Sequence, residues 1–166
     1  MKWSIEALAE THERKAFCSG IGQLDAYLHR YAGQHTRKDI GRTFVAVSAG
    51  SRRVAGYYTL SASSVAFQNL PDALARQLPR YPLPAALIGK LAVDKSLQGQ
   101  GLGELLLLDA LKRVVGISSQ LALYAVEVHA INDQAKSFYT QYGFQPFLDD
   151  DSHLFLPIET IRKLLT

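Results

Sequence analysis

The sequence predicts an α/β fold built around one mixed sheet. Two patterns carry that reading: strand-like and helix-like segments alternate along the chain, and a glycine-dense loop joins an apolar strand to a leucine-rich helix. Composition agrees with it. The 166 residues are 48% hydrophobic, enough for one domain, 1–166, with a real core and too much for a disordered chain.

The elements follow in order. Residues near Ser4–Leu8 are read as a first strand. Leu24, Tyr27, Leu28 and Tyr31 recur at helical spacing. Thr43–Val47 and Val54–Leu60 read as strands around an Ala49-Gly50-Ser51 turn. Pro71 opens a short helix reaching Leu78. The strand Leu87–Val93 leads into Gln98-Gly99-Gln100-Gly101-Leu102-Gly103, and Glu104–Val115 is a buried helix. Leu121–Val128 is the next strand. Asn132 is a natural N-cap for a helix that Gly143 stops. Phe144–Phe147 and Leu154–Leu156 pair as a closing hairpin, and Ile158–Leu165 forms the last helix.

Composition excludes several classes of protein. No apolar run approaches the roughly 18–20 residues of a membrane span. Glu6 and Glu10 interrupt the start, so it lacks a signal-peptide core. Cys18 is the sole cysteine and cannot make an internal disulfide. Together these favour the cytoplasm. Cys18 has no histidine pattern near it and is not read as a nucleophile. No clustered Cys or His suggests a zinc site, so no metal is expected. Glu127 is read as a folding or positioning residue and His129 as structural.

The net charge of +3 is unevenly spread. Arg30, Arg37, Lys38, Arg42, Arg52 and Arg53 crowd one stretch with Asp39 as its only acid. Arg76, Arg80 and Lys90 continue it, whereas Asp149, Asp150 and Asp151 fall late. Such asymmetry suggests an anionic partner.

The glycine loop is an anion site by construction. Glycine lets the backbone approach a ligand, and the first N–H groups of the helix point outward without intrahelical partners. No Gly-Lys-Ser/Thr follows, so it is not a Walker loop, and Leu106 stands where a dinucleotide fingerprint needs its third glycine. Gln98, Gly101 and Gly103 instead match the Gln/Arg-x-x-Gly-x-Gly/Ala element of the GCN5-related N-acetyltransferases (GNAT). Asn132, Ala135, Phe138, Tyr139, Gly143 and Phe144 resemble that family's second signature. Ala135, Phe138 and Tyr142 share a helical face, and Phe138 and Tyr142 are expected in the core. Tyr139 is expected to face elsewhere.

The resemblance implies a GNAT-like domain with a mostly antiparallel, twisted sheet flanked by helices, and acetyl-CoA as donor. Leu91, Ala92 and Val93 would pair with the pantetheine arm and polarise the thioester. Gln98, Gly99, Gln100, Gly101, Leu102, Gly103 and Glu104 would cradle the pyrophosphate, with Asn132 and Phe138 completing the cofactor site. Tyr139 would be the general acid. No carboxylate stands out as base. A lysine amine titrates near about 10.4 and would need one, whereas an α-amine near about 7.7–8.0 is largely neutral already. The α-amine is the easier acceptor.

Phe17-Cys18-Ser19-Gly20, Gln23–Leu28, Arg42–Ala46, Gly56–Ala62 and Leu78–Pro84 are similar to one branch of the family, the toxins of type II toxin–antitoxin systems resembling TacT and AtaT. That resemblance implies acetylation of the α-amine of aminoacyl-tRNA and arrest of translation. It implies a homodimer, a ribbon-helix-helix antitoxin, and operator DNA contacted only through that antitoxin. Arg37, Lys38, Arg42, Arg80 and Lys90 are the candidate tRNA contacts. Two other readings remain open: an acetyltransferase for a small amine or a protein N-terminus, and a non-enzymatic module that binds coenzyme A or RNA.

Overall fold

In the computed structural model, which describes residues 2–166, seven strands are hydrogen-bonded in the order β1-β2-β3-β4-β5-β7-β6. They are β1 (Trp3–Ala7), β2 (Arg42–Ser48), β3 (Gly56–Val65), β4 (Leu83–Val93), β5 (Ala125–His129), β6 (Gln145–Pro146) and β7 (His153–Pro157). β1 pairs with β2, β2 with β3, β5 with β7 and β6 with β7, each antiparallel. The helices are α1 (Gly22–Ala26), α2 (Ala32–Arg37), α3 (Asp72–Ala75), α4 (Leu102–Ser118), α5 (Asp133–Gln141) and α6 (Ile158–Leu165). The sheet is open, mostly antiparallel and flanked by helices, as expected. Contacts divide the chain into two compact units, 1–61 with 88–110, and 62–87 with 111–166.

The first unit packs Phe17, Leu24, Tyr27, Leu28, Ala32, Val45, Val47, Val54, Tyr57 and Ala92 into one core. Tyr57 is fully buried, and its hydroxyl donates to Leu24 O at 2.6 Å, which makes that burial tolerable. Helix α1 continues through a π turn, Tyr27–Tyr31, into α2. The wider turn inserts one residue. Ala32 therefore meets the core, and Tyr31, which shares the helical spacing of Leu24, Tyr27 and Leu28, is 46% exposed. Gly56 is required by close approach: a Cβ would stand 2.9 Å from Leu106 Cδ1 and 3.0 Å from Ala92 O.

In the second unit Val65, Leu70, Leu83, Ala85, Ala125 and Phe155 surround Phe147, whose ring stacks 4.4 Å from Phe155. Ile158 and Ile161 anchor α6. The closing hairpin is present, with Gln145 opposite Phe155.

Three boundaries differ from the sequence reading. Residues 52–54 bond the chain around Glu13 instead of β2, so β3 starts at Gly56. α3 stops at Ala75, short of Leu78. β5 starts at Ala125, and Leu121 is 59% exposed.

Candidate active site

β4 ends at Val93, and a short turn follows that Asp94 organises. Its carboxylate accepts from Ser96 N and Oγ and from Cys18 N. Burial opposes ionisation of Asp94. The hydrogen bonds from Ser96 and Cys18, with the charge of Arg53, outweigh it and hold the carboxyl below its usual range. No motif in the sequence singled out Asp94. The signal available was its place between the strand and the loop.

The Gln98 side chain donates to Ser19 O at 3.0 Å and to Val93 O at 2.9 Å. Both amide protons are thus engaged by the protein, and the side chain staples the loop to the strand end. Gly99 and Gly101 adopt φ of +80° and +84° with open space around them, so backbone angle, not crowding, demands glycine. Gly103 differs, since it lies inside α4 at helical angles. The first bond into that helix runs from Leu105 N to Gly101 O at 3.1 Å. The N–H groups of Leu102, Gly103 and Glu104 consequently lack intrahelical acceptors. The Leu102 side chain is in the core, so only its backbone faces a ligand. Gly99, Gln100, Gly101 and Glu104 are exposed. Within this unit the loop, its strand and the helix N-terminus lie together, an arrangement suited to an anion. On β4, Leu91 and Val93 are half-buried and Ala92 is buried.

In the second unit Asn132 caps α5, its Oδ1 accepting from Ala135 N at 2.8 Å. The side chains of α5 depart from expectation. Tyr139 is the buried one, at 6% exposure, while Phe138 and Tyr142 are half-buried. Gly143, at φ +97°, reverses the chain and brings Phe144 under the helix. The Tyr139 ring then packs edge-on against Phe138 at 5.3 Å and Phe144 at 5.4 Å. Helical spacing located the stripe but not which side of it the returning chain would cover. Among the described residues the Tyr139 hydroxyl has no hydrogen-bond partner. Burial pushes its pKa well above the ordinary tyrosine range, so it is a protonated donor at neutral pH.

The basic candidates differ in exposure and in the partners they already have. Arg37 and Lys38 at the end of α2 are exposed. Arg42 is exposed too, but it is bound to Asp39 at 2.7 Å and to Thr36 O at 2.9 Å. Lys90 is half-buried with its ammonium 4.2 Å above the Tyr27 ring, and burial lowers its pKa. Arg80 is exposed and belongs to the other unit.

Glu127 and His129 have more company than the sequence suggested. Glu127 is buried and hydrogen-bonded to Ser63 and His153, and a ligand atom of each of Glu127, His129 and His153 lies within 4.8 Å of the others. The expectation that no potential metal ligands cluster is corrected here. His153 arrives on β7, and strand pairing, invisible in linear spacing, supplies it.

The family profile described as "Acetyltransferase (GNAT) domain" matches residues 39–146. The chain is 36% identical to a "tRNA-acetylating toxin" of Mycobacterium tuberculosis (strain ATCC 25618 / H37Rv), over 95% of this chain and 93% of that protein. A crystal structure of a KacT mutant superposes with a TM-score of 0.94 at 31% identity, covering 99% of both chains. AtaT complexed with acetyl-methionyl-tRNAfMet gives 0.92 at 30% identity, covering 99% of this chain and all of that one. Other AtaT structures hold acetyl-CoA with the C-terminus of the antitoxin AtaR, or AtaR and DNA.

Proposed function

This chain belongs to the GNAT family of acetyl-CoA-dependent N-acetyltransferases, and from that premise we propose that it acetylates the α-amino group of aminoacyl-tRNA and so blocks translation. The observation that carries this is the anion cradle of Gly99–Glu104, set in a chain that matches a tRNA-acetylating toxin over nearly its whole length.

The free N–H groups of Leu102, Gly103 and Glu104, with the backbone of Gly99, Gln100 and Gly101, hold the pyrophosphate. Gln98 fixes the loop. Backbone groups of Leu91, Ala92 and Val93 take the pantetheine arm and polarise the thioester carbonyl. Asn132 and Phe138 line the remainder. The neutral α-amine attacks the acetyl carbon, the carbon–sulfur bond breaks, Tyr139 protonates the departing thiolate, and the proton that the amine nitrogen sheds on becoming the amide is passed back to Tyr139. With its pKa raised, Tyr139 starts in the protonated state that an acid requires. Arg37 and Lys38 are the open phosphate contacts, and Arg42, Arg80 and Lys90 add to them.

The partners follow the same reading. They are a ribbon-helix-helix antitoxin, through which operator DNA is reached, and a second copy of the chain. The cytoplasm, where tRNA is, is the site of action. No helix among the described residues is long and apolar enough to cross a membrane.

Labelled acetyl-CoA incubated with charged and uncharged tRNA tests the proposal. Label is expected on charged tRNA alone. One observation favours a second reading, a small amine or protein N-terminus as acceptor: two of the five basic candidates, Arg42 and Lys90, already have partners within the chain. Acetylation of a free amine without modification of aminoacyl-tRNA would select it.

A further inference from the structure

Two adjacent strands bring three donor side chains to one spot. Glu127 and His129 stand two residues apart on β5, so both leave the same face. The register sets His153 of β7 directly opposite His129. Glu127 Oε1 lies 2.9 Å from His153 Nε2 and 3.9 Å from His129 Nε2. Ligand atoms sharing one ion, with bonds of about 2.0–2.2 Å, stand roughly 3–3.5 Å apart. Small adjustments therefore bring this set to coordination distance.

The cluster is also supported from behind. Asp149 Oδ2 lies 3.3 Å from His153 Nδ1, so Nε2 is the ring nitrogen turned toward Glu127. A carboxylate on the far nitrogen of an imidazole is the common outer support of a histidine ligand. Ser63 Oγ donates to Glu127 Oε2 at 2.9 Å, which leaves Oε1 to the cluster.

Side-chain exposure rises from 6% at Glu127 through 13% at His153 to 62% at His129. An ion would enter from the His129 side, where water can complete its shell. The His129 ring stacks on His153 at 4.2 Å and 11°. Parallel rings do not aim their lone pairs at one point, so binding requires His129 to turn, and its exposure permits that. A structural role would need only the Glu127–His153 hydrogen bond, and His129 adds a third donor atom on the open side.

We propose that Glu127 Oε1, His129 Nε2 and His153 Nε2 form a binding site for a divalent transition-metal ion. Two imidazoles and one carboxylate suit Zn²⁺, Ni²⁺ or Cu²⁺. Mg²⁺ and Ca²⁺ prefer all-oxygen sets. The site is separate from the acetyl-transfer reading and stands or falls without it.

The test is calorimetric titration of Zn²⁺ into the full-length, untagged protein in a non-chelating buffer at neutral pH. One equivalent is expected to bind. His129→Ala is the main variant, since an exposed ring can be removed without endangering the fold, as circular dichroism will check. Its zinc affinity is expected to fall at least about tenfold. Cys18→Ser controls for the exposed thiol, the other zinc-seeking group, and is expected to bind as the parent does. Co²⁺ gives a second readout, a visible absorption band that His129→Ala and His153→Ala lack. The proposal is overturned if the parent shows no saturable zinc binding, if His129→Ala binds equally well, or if Cys18→Ser loses binding.

Discussion

The Lys90 ammonium sits 4.2 Å above the Tyr27 ring, and Tyr27 is itself stacked on Tyr57 at 6.3 Å. A half-buried cation held so on an aromatic face contributes about 0.5–2 kcal/mol. Lys90→Met keeps the aliphatic stem and removes the charge. We expect its melting temperature to fall by about 2–4 °C per kcal/mol lost, with a smaller loss of tRNA affinity than Arg37→Ala or Lys38→Ala produces. Parallel thermal melts and filter binding check both. Lys90→Met weakening tRNA most, with unchanged stability, would show that the ammonium serves phosphate instead of Tyr27.

The two ends of the glycine loop should respond differently. Gly101 has a left-handed backbone in empty surroundings, so Gly101→Ala should cost about 1–2 kcal/mol through angle alone. Gly103 is helical, so Gly103→Glu should fold with near-parental stability. Its carboxylate would still stand in the pyrophosphate's place and abolish acetyl-CoA binding. Unchanged cofactor affinity by calorimetry in a folded Gly103→Glu variant contradicts the cradle.

Tyr139→Phe should separate chemistry from stability. Turnover is expected to drop about 10²–10⁴-fold, the range for a lost general acid, with cofactor affinity nearly unchanged. The residue is 6% exposed, and its hydroxyl has no hydrogen-bond partner among the described residues. Its removal orphans no group, and the melting temperature should hold or rise. Turnover within a few-fold of the parent rules Tyr139 out as the acid.

Alkaline pH supplies another test. Burial raises the pKa of both Tyr57 and Tyr139 above the ordinary 10.0. The folded state then holds protons that the unfolded chain releases. Their contribution is fully present below pH 10 and is lost as pH rises above it. Melting temperatures measured upward from about pH 9 should fall beyond 10, less steeply in Tyr139→Phe. An equal slope in that variant would mean that Tyr139 titrates freely in the native state.

Salt should discriminate the acceptors. Phosphate contacts release counterions, so acetylation of charged tRNA should weaken steeply with added salt, and the Arg37→Ala and Lys38→Ala slopes should each be shallower by about 1. A flat response favours the small-amine reading.

Much of this was legible in the sequence because it rests on local chemistry. The alternating segments, the Asn132 cap, the Gly143 stop and the left-handed glycines of the loop follow from propensity over a few residues. What escaped depended on distant partners. The π turn moved Tyr31 out and Ala32 in, a shift of one residue that periodicity cannot register. The burial of Tyr139 was decided by Phe144 folding back beneath it. The meeting of Glu127, His129 and His153 was decided by pairing of β5 with β7. Arg42 looked available until Asp39 was seen against it.

Gly56 has one further consequence. It belongs to neither signature, yet its missing methyl group lets Ala92, in the strand before the loop, and Leu106, in the helix after it, close on the same point. The approach of strand and helix beside the loop thus depends on a hydrogen atom on a third element, some forty residues upstream. A relative that carries alanine there must give the space back, through a smaller side chain at 106 or a displaced strand end, before its loop can keep this shape. The shape of the loop is inherited through position 56 as much as through the loop's own glycines.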